Sequence, residues 1–278
     1  MFDLSNAHFA FLDIETTGLS PWFGDRICEV AIVATEGKRI KGTYCTLINP
    51  ERPLSPGAIS ANALAETDLR SAPVFAEVAD QVEKWLTDAI VVCHNARFDL
   101  QFLDSEYRRI NRELQIPNLI DTLLVARQYF DLPSYSLHSI ADAFHLSTIK
   151  EHGAREDALN ARSIFFAMLG SLKALKKPLD DFIGIYNSPA WPDEGIQLPT
   201  ELEEAIYSGK RLFIRYLNKA GEHTERWITP KQVIGLADYI YLQAYCHLRE
   251  AERSFRLDRI VEIRVESSSI KQDEKGEI

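Results

Sequence analysis

Long apolar runs are missing from this 278-residue chain. No stretch approaches the roughly 18 residues that a membrane-spanning helix needs, so no membrane partner is expected. Cysteine is scarce: Cys28, Cys45, Cys93 and Cys246 show no CxxC spacing. They lie in apolar stretches and read as buried free thiols of a reducing compartment. A basic excess is also lacking, with 31 Lys and Arg against 41 Asp and Glu and a net charge of −10. That excludes a protein that coats nucleic acid by bulk attraction. It leaves room for an enzyme whose acidic site recruits cations. The opening "MFDLSNAHFAF" has no basic region followed by an apolar core, the mark of a signal peptide, so a cytoplasmic location is expected. No internal repeat is visible.

What is present is ordinary for a globular protein, with 46% apolar and 26% charged residues. At this length two domains are expected. The charge divides unevenly. Residues 1–172 carry a net −8, whereas residues 198–265, with 11 Lys and Arg against 10 Asp and Glu, carry +1.

"HFAFLDIE" (8–15), "ICEVAIVAT" (27–35) and "KGTYCTLI" (41–48) read as three strands of an antiparallel meander. "NPERPLSPG" (49–57) reads as a loop. Helical spacing follows over 73–86, a buried strand over 89–95, and a helix over 98–110. Residues 118–130 read as a short strand running into a helix. Helices follow over 136–146, with Ser136 as N-cap, and over 154–175. Strands followed by alternating helices and strands make an α/β layered domain over 1–175. Residues 176–197, rich in proline and without periodicity, read as a linker. Residues 198–268 alternate as a small β-rich domain, and 269–278 as a flexible tail.

The first strand poses a physical problem. Asp13 and Glu15 sit two apart in "FLDIETTGL", so their carboxylates share one face of a strand that is otherwise apolar. Like charges that close repel, and burial makes it worse. Asp99 follows the strand "IVVCHN" at the start of a helix, and Asp157, preceded by His152, lies in the first turn of the long helix. Ligands commonly sit at the carboxyl ends of strands in α/β sheets. If these acids converge, Mg²⁺ or Mn²⁺ relieves the repulsion, because both take hard oxygen ligands. Two such ions clamp the attacking and leaving oxygens of a phosphodiester, and His152 suits the role of general base. Singly, each residue has a plainer reading: Asp99 as a helix cap, Asp157 as a complement to the helix dipole, His152 as a loop residue. Together they form the order D-x-E, HNxxFD, H-x4-D.

"FLDIETTGL", "HNARFDLQFL" and "HGAREDALNA" resemble the three motifs of the DEDDh 3′–5′ exonucleases, as in the proofreading epsilon subunit of bacterial DNA polymerase III. The resemblance spans roughly residues 7 to 172. It implies an RNase H-like α/β fold with a mixed five-stranded sheet flanked by helices, and hydrolysis with two metal ions (Mg²⁺ or Mn²⁺) that releases nucleoside 5′-monophosphates. Asp13, Glu15, Asp99 and Asp157 would be metal ligands and His152 the base. Thr16 and His94 match positions that hold the terminal nucleotide in relatives. Gly18 would let the backbone approach the substrate, and Leu19 would wedge against the terminal base. The implied partner is a single-stranded 3′ end of DNA or RNA.

In the second domain, "LFIRYL", "IYLQAYCHLR" and "SFRLDRI" resemble the WYL domain of bacterial regulators, with Ile240 where the name-giving Trp would stand. This implies a small Sm/SH3-like β-barrel that binds nucleic acid or a nucleotide, with Tyr241, Arg256 and Arg259 as its ligand surface. Asp258, between the two arginines, offers an alternative in which the group is an internal ion pair. Two further readings remain at this point: a regulatory binding protein whose exonuclease-like domain mainly binds nucleic-acid ends or a partner, and a polymerase-associated proofreader.

Overall fold

The odd residues Phe9 and Phe11 of strand β1 (His8–Thr16) enter one core, and the even residues Ala10, Leu12 and Ile14 enter another. A strand with two apolar faces belongs in the middle of a sheet covered on both sides. The computed structural model, which describes residues 7–21, 24–61, 64–149, 153–174, 184–186, 198–218, 220–236 and 239–265, places it there. Antiparallel strands β2 (Ile27–Glu36) and β3 (Arg39–Leu47) extend the sheet on one side. Strands β4 (Ile90–Cys93) and β5 (Ile116–Asp121) extend it in parallel on the other. These are the five strands expected. A sixth, β6 (Gly184–Tyr186), pairs antiparallel with β5, giving the order β3-β2-β1-β4-β5-β6. The stretch read as a linker thus supplies an edge strand. Its remaining residues lie outside the described residues, as does the tail.

Helices α1 (Pro56–Ala61) and α2 (Glu66–Ser71) follow the loop after β3, and Pro56 opens α1 at the position where a missing N–H costs least. Helices α3 (Phe75–Leu86) and α4 (Ala96–Arg109) cover the even face of β1. Helices α5 (Thr122–Tyr129), α6 (Leu137–Ala143) and α7 (Ala154–Ala174) cover the odd face. Ser136 caps α6 as expected, its hydroxyl accepting from the Ser139 amide. On the odd face the Phe9 ring lies 5.1 Å from Phe165 and 5.8 Å from Phe166, edge to face. Burying each such ring contributes about 1.5–3 kcal/mol. The consequence for function is register. Asp13 and Glu15 are odd residues, so they share the side of the sheet that α7 covers.

The C-terminal unit packs helix α8 (Thr200–Ser208) against a second sheet of five antiparallel strands. These are β7 (Leu212–Leu217), β8 (His223–Leu236), β9 (Tyr239–Cys246), β10 (Ala251–Arg256) and β11 (Ile260–Val265), in the order β10-β9-β8-β7-β11. In β9 the pleat sends Ile240, Leu242, Ala244 and Cys246 into the core and the tyrosine row outward. Pro230, inside β8, is accommodated by a register shift beside it. All four cysteines are free, but Cys45 is exposed on β3, because that strand is the sheet's edge. Among the described residues no helix is long and apolar enough to cross a membrane.

Candidate active site

The carboxyl end of β1 carries Asp13 and Glu15, and α7 delivers Asp157 from its first turn onto the same face. Each offers a carboxylate oxygen, and these oxygens lie within 4.8 Å of one another. Asp99, only 3% exposed in the first turn of α4, stands beside this trio and is not one of the three. Its charge is nevertheless the largest electrostatic influence on Asp13. His152 lies outside the described residues.

The electrostatics are those of repelling acids withdrawn from water. Burial, and then the charges of Asp99, Asp157, Glu15 and Glu29, hold the Asp13 carboxyl well above its ordinary range. Burial, Asp157 and Glu29 push Glu15 up to about 8. Asp99 is also raised, chiefly by burial, although the backbone amides of Asp99 and Ile14 oppose the shift. Such a site keeps protons that ordinary carboxyls release, unless a cation takes their place. The donors are all carboxylate oxygens, the chemistry that fits a hard divalent metal ion.

Two acids that the sequence reading passed over organise this cluster. Glu29 stands opposite Glu15 in the β1–β2 register, and its Oε2 accepts the Ala154 amide at 3.2 Å, fixing the start of α7. Its other oxygen accepts from Cys45 Sγ at 3.2 Å. The signal was a lone acid inside the apolar run "ICEVAIVAT". Asp121 ends β5 and accepts the backbone amides of Leu123 at 2.9 Å, Ala96 at 3.0 Å and Asn95 at 3.1 Å. It therefore caps α5 and pins the entry to α4, where Asn95 adopts φ 64°.

A cavity of about 310 Å³ opens beside Glu15, lined on this side by Thr16, Gly18, Leu19 and Phe98. Thr16 Oγ1 donates to the Gly18 carbonyl at 2.6 Å. Gly18 has a packing reason of its own: a Cβ there would fall 2.4 Å from the Asp25 carboxylate. That carboxylate braces the loop by accepting from Ser20 N at 3.1 Å and Thr17 Oγ1 at 3.2 Å. Leu19 packs against the C-terminal core. His94 is not among the residues that line this cavity. Its Nδ1 lies 2.9 Å from Thr122 Oγ1, which itself donates to the Cys93 carbonyl, so the ring presents Nδ1–H; burial lowers its pKa to about 4.

In the C-terminal sheet, Tyr241 lies on the outward row of β9. Arg256 is held by Asp258, with Nε 2.9 Å from Oδ1, and its guanidinium lies 3.4 Å from the centroid of the Tyr239 ring. Arg259 belongs to the 3₁₀ turn Leu257–Arg259. The internal ion pair left open in the sequence is therefore present.

The sequence model of the exonuclease family (RNase_T) matches residues 10–165, and that of the WYL domain matches residues 197–265. The chain is 32% identical over 184 residues to the DNA polymerase III subunit epsilon of Rickettsia typhi, covering 64% of this chain and 80% of that protein. It is 34% identical over 169 residues to the PolC-type DNA polymerase III of Caldanaerobacter subterraneus, covering 60% of this chain but only 12% of that protein. Among solved structures, a full-length 3′-exonuclease superposes with a TM-score of 0.56 at 15% identity, covering 69% of this chain and 94% of that one. Escherichia coli exonuclease I in complex with a dT13 oligonucleotide superposes with a TM-score of 0.53 at 17% identity, covering 86% and 55%. These two likenesses concern the fold. The match over more than half of the sequence, joined to an acidic trio at the end of its central strand, makes this chain a member of the exonuclease family that carries a C-terminal WYL domain.

Proposed function

We propose that the protein is a metal-dependent 3′–5′ exonuclease that removes nucleoside 5′-monophosphates from single-stranded ends of DNA or RNA. The observation that carries this reading is the trio Asp13, Glu15 and Asp157, whose carboxylate oxygens approach within 4.8 Å and of which Glu15 lines a cavity. Asp13, Glu15, Asp157 and Asp99 would hold Mg²⁺ or Mn²⁺, two ions in the full site. When bound, the metal supplies charge to the phosphodiester oxygens and lowers the pKa of the attacking water. The chain's own groups do the rest. Glu29 and Asp121 hold the elements that carry the ligands. The end of β1 and the loop after it, braced by Asp25, present Thr16, Gly18 and Leu19 to the terminal nucleotide. His152, five residues before Asp157, takes the proton from water. The WYL domain contacts the strand or a nucleotide, with Tyr241 and Arg259 at that surface and Arg256 set in place by Asp258.

End-labelled single-stranded DNA and RNA test the reading. Stepwise release of mononucleotides from the 3′ end is expected with Mg²⁺ or Mn²⁺, and none with EDTA or in Asp13→Ala. Internal cleavage, or activity that survives both EDTA and Asp13→Ala, sinks it.

A further inference from the structure

The cavity beside Glu15 has a second wall, and that wall belongs to the other domain. Leu257, Asp258, Ile260, Val261, Glu262 and Ile263, from the 3₁₀ turn and the start of β11, line it opposite Leu19 and Phe98. The two halves are seated closely. A Cβ on Gly57 of α1 would lie 2.6 Å from the Ile260 carbonyl oxygen, so only glycine admits this approach of the two backbones. Arg127 of α5 pairs with Glu203 of α8 at 2.9 Å, and the Tyr135 amide donates to Glu204 at 2.9 Å. Leu19 completes the seat by packing against the C-terminal core.

The chemistry of the lining limits what fits. The walls are mainly aliphatic, with Phe98 as an aromatic member and Glu15 among the lining residues. The two acids on the C-terminal side are already matched by cations. Glu262 lies 3.3 Å from Arg215 and 2.7 Å from Arg264, and Asp258 is held by Arg256. The wall therefore adds little repulsion against a phosphate. At about 310 Å³ the cavity is at the lower end of the ~300–1,000 Å³ typical of small-ligand sites, room for one nucleotide and not for a base pair.

We propose that the C-terminal domain supplies half of the pocket for the terminal nucleobase, with Leu257 and Val261 setting its selectivity for an unpaired nucleotide. The inference rests on the exonuclease reading for the identity of the ligand. The WYL domain acts here as part of the substrate site, and its link to the nuclease is structural at the point of chemistry.

Calorimetry on the full chain with Mg²⁺ separates the two ideas. The probes are thymidine 5′-monophosphate and 2-deoxyribose 5-phosphate, which lacks the base. Wild type is expected to bind the nucleotide about tenfold or more tightly than the base-free phosphate, the scale of one stacked base. Val261→Trp, which fills the pocket, is expected to erase most of that preference. Gly57→Ala, which forces the domains apart, is expected to reduce it, and Val261→Ala to reduce it modestly, so the test survives misfolding of one variant. An unchanged preference in the folded variants overturns the proposal. So does tighter nucleotide binding in Gly57→Ala, which would make the second wall a plug. Hydrolysis of bis(p-nitrophenyl) phosphate by wild type addresses the nuclease separately: its absence with either metal counts against the phosphodiesterase reading, while the binding ratio still decides the wall.

Discussion

Glu15 and Glu29 face each other across the β1–β2 pair, yet they serve the site in different ways. Glu15 joins Asp13 and Asp157 in the close trio, whereas Glu29 turns its oxygen to the first amide of α7. One acid contributes charge for a cation, and the other positions the helix that brings a third acid to it.

Glu29→Ala should therefore damage turnover without touching substrate. Leaving the buried Ala154 amide without its acceptor costs about 1–3 kcal/mol, enough to misplace Asp157 and lower kcat about tenfold. Glu29→Gln keeps an acceptor for Ala154 N and should retain most of the activity. Steady-state kinetics of both variants check this, and equal losses in the two would contradict a positioning role.

The metal-free protein should lose stability as pH rises from about 5 to 8. Glu15 has an ordinary value of 4.5 and a folded value of about 8. Between these the folded state keeps a proton that the unfolded chain releases, so raising the pH favours unfolding. Asp13 and Asp99 shift in the same direction. Metal binding needs the deprotonated carboxylates and should reverse the trend. Mn²⁺ at about 100 times its Kd adds about 2.7 kcal/mol, read as a rise in Tm that is larger at pH 8 than at pH 5.5. Thermal melts with and without Mn²⁺ measure both slopes.

Asp13→Asn should trade function for stability. The amide stands in for the protonated carboxyl that burial and the charges of Asp99, Asp157, Glu15 and Glu29 favour in the folded state, and it removes the cost of holding that proton at high pH. At pH 8 without metal, Tm should rise by a few degrees, about 0.5–2 kcal/mol in stability. Hydrolysis should disappear, and Mn²⁺ should no longer raise Tm to the wild-type extent. A lower metal-free Tm than wild type would show that repulsion does not dominate this site.

Asp121→Ala should be among the more destabilising changes. Its carboxylate is the common acceptor for the amides of Leu123, Ala96 and Asn95. Truncation strands donors at the starts of two helices, and a cost of about 3 kcal/mol is expected from a lost cap plus unsatisfied buried amides. Urea unfolding measures it, and Asp121→Asn should fall between the two.

Much of the nuclease was legible from residue order alone. Alternation in "HFAFLDIE" places two cores around one strand, and the same period puts Asp13 and Glu15 on one face before any partner is known. Helical spacing and the Ser136 cap depend on neighbours within a turn or two, so they too could be read locally. The short helices α1 and α2 were hidden because proline and polar residues mark a loop and a helix start alike. Edge strand β6 was hidden because three residues carry no period.

Sequence by itself determined which residues repel one another and which faces must be buried, because both follow from spacing along the chain. Tertiary structure alone decided that Asp157 meets Asp13 and Glu15, and that Glu29 holds the helix that brings it there. It also decided that Asp258 claims Arg256, and that the C-terminal domain walls the cavity beside the acids. Those outcomes depend on distances between residues far apart in the chain, and such distances are set only when the two cores close and Gly57 lets the domains touch.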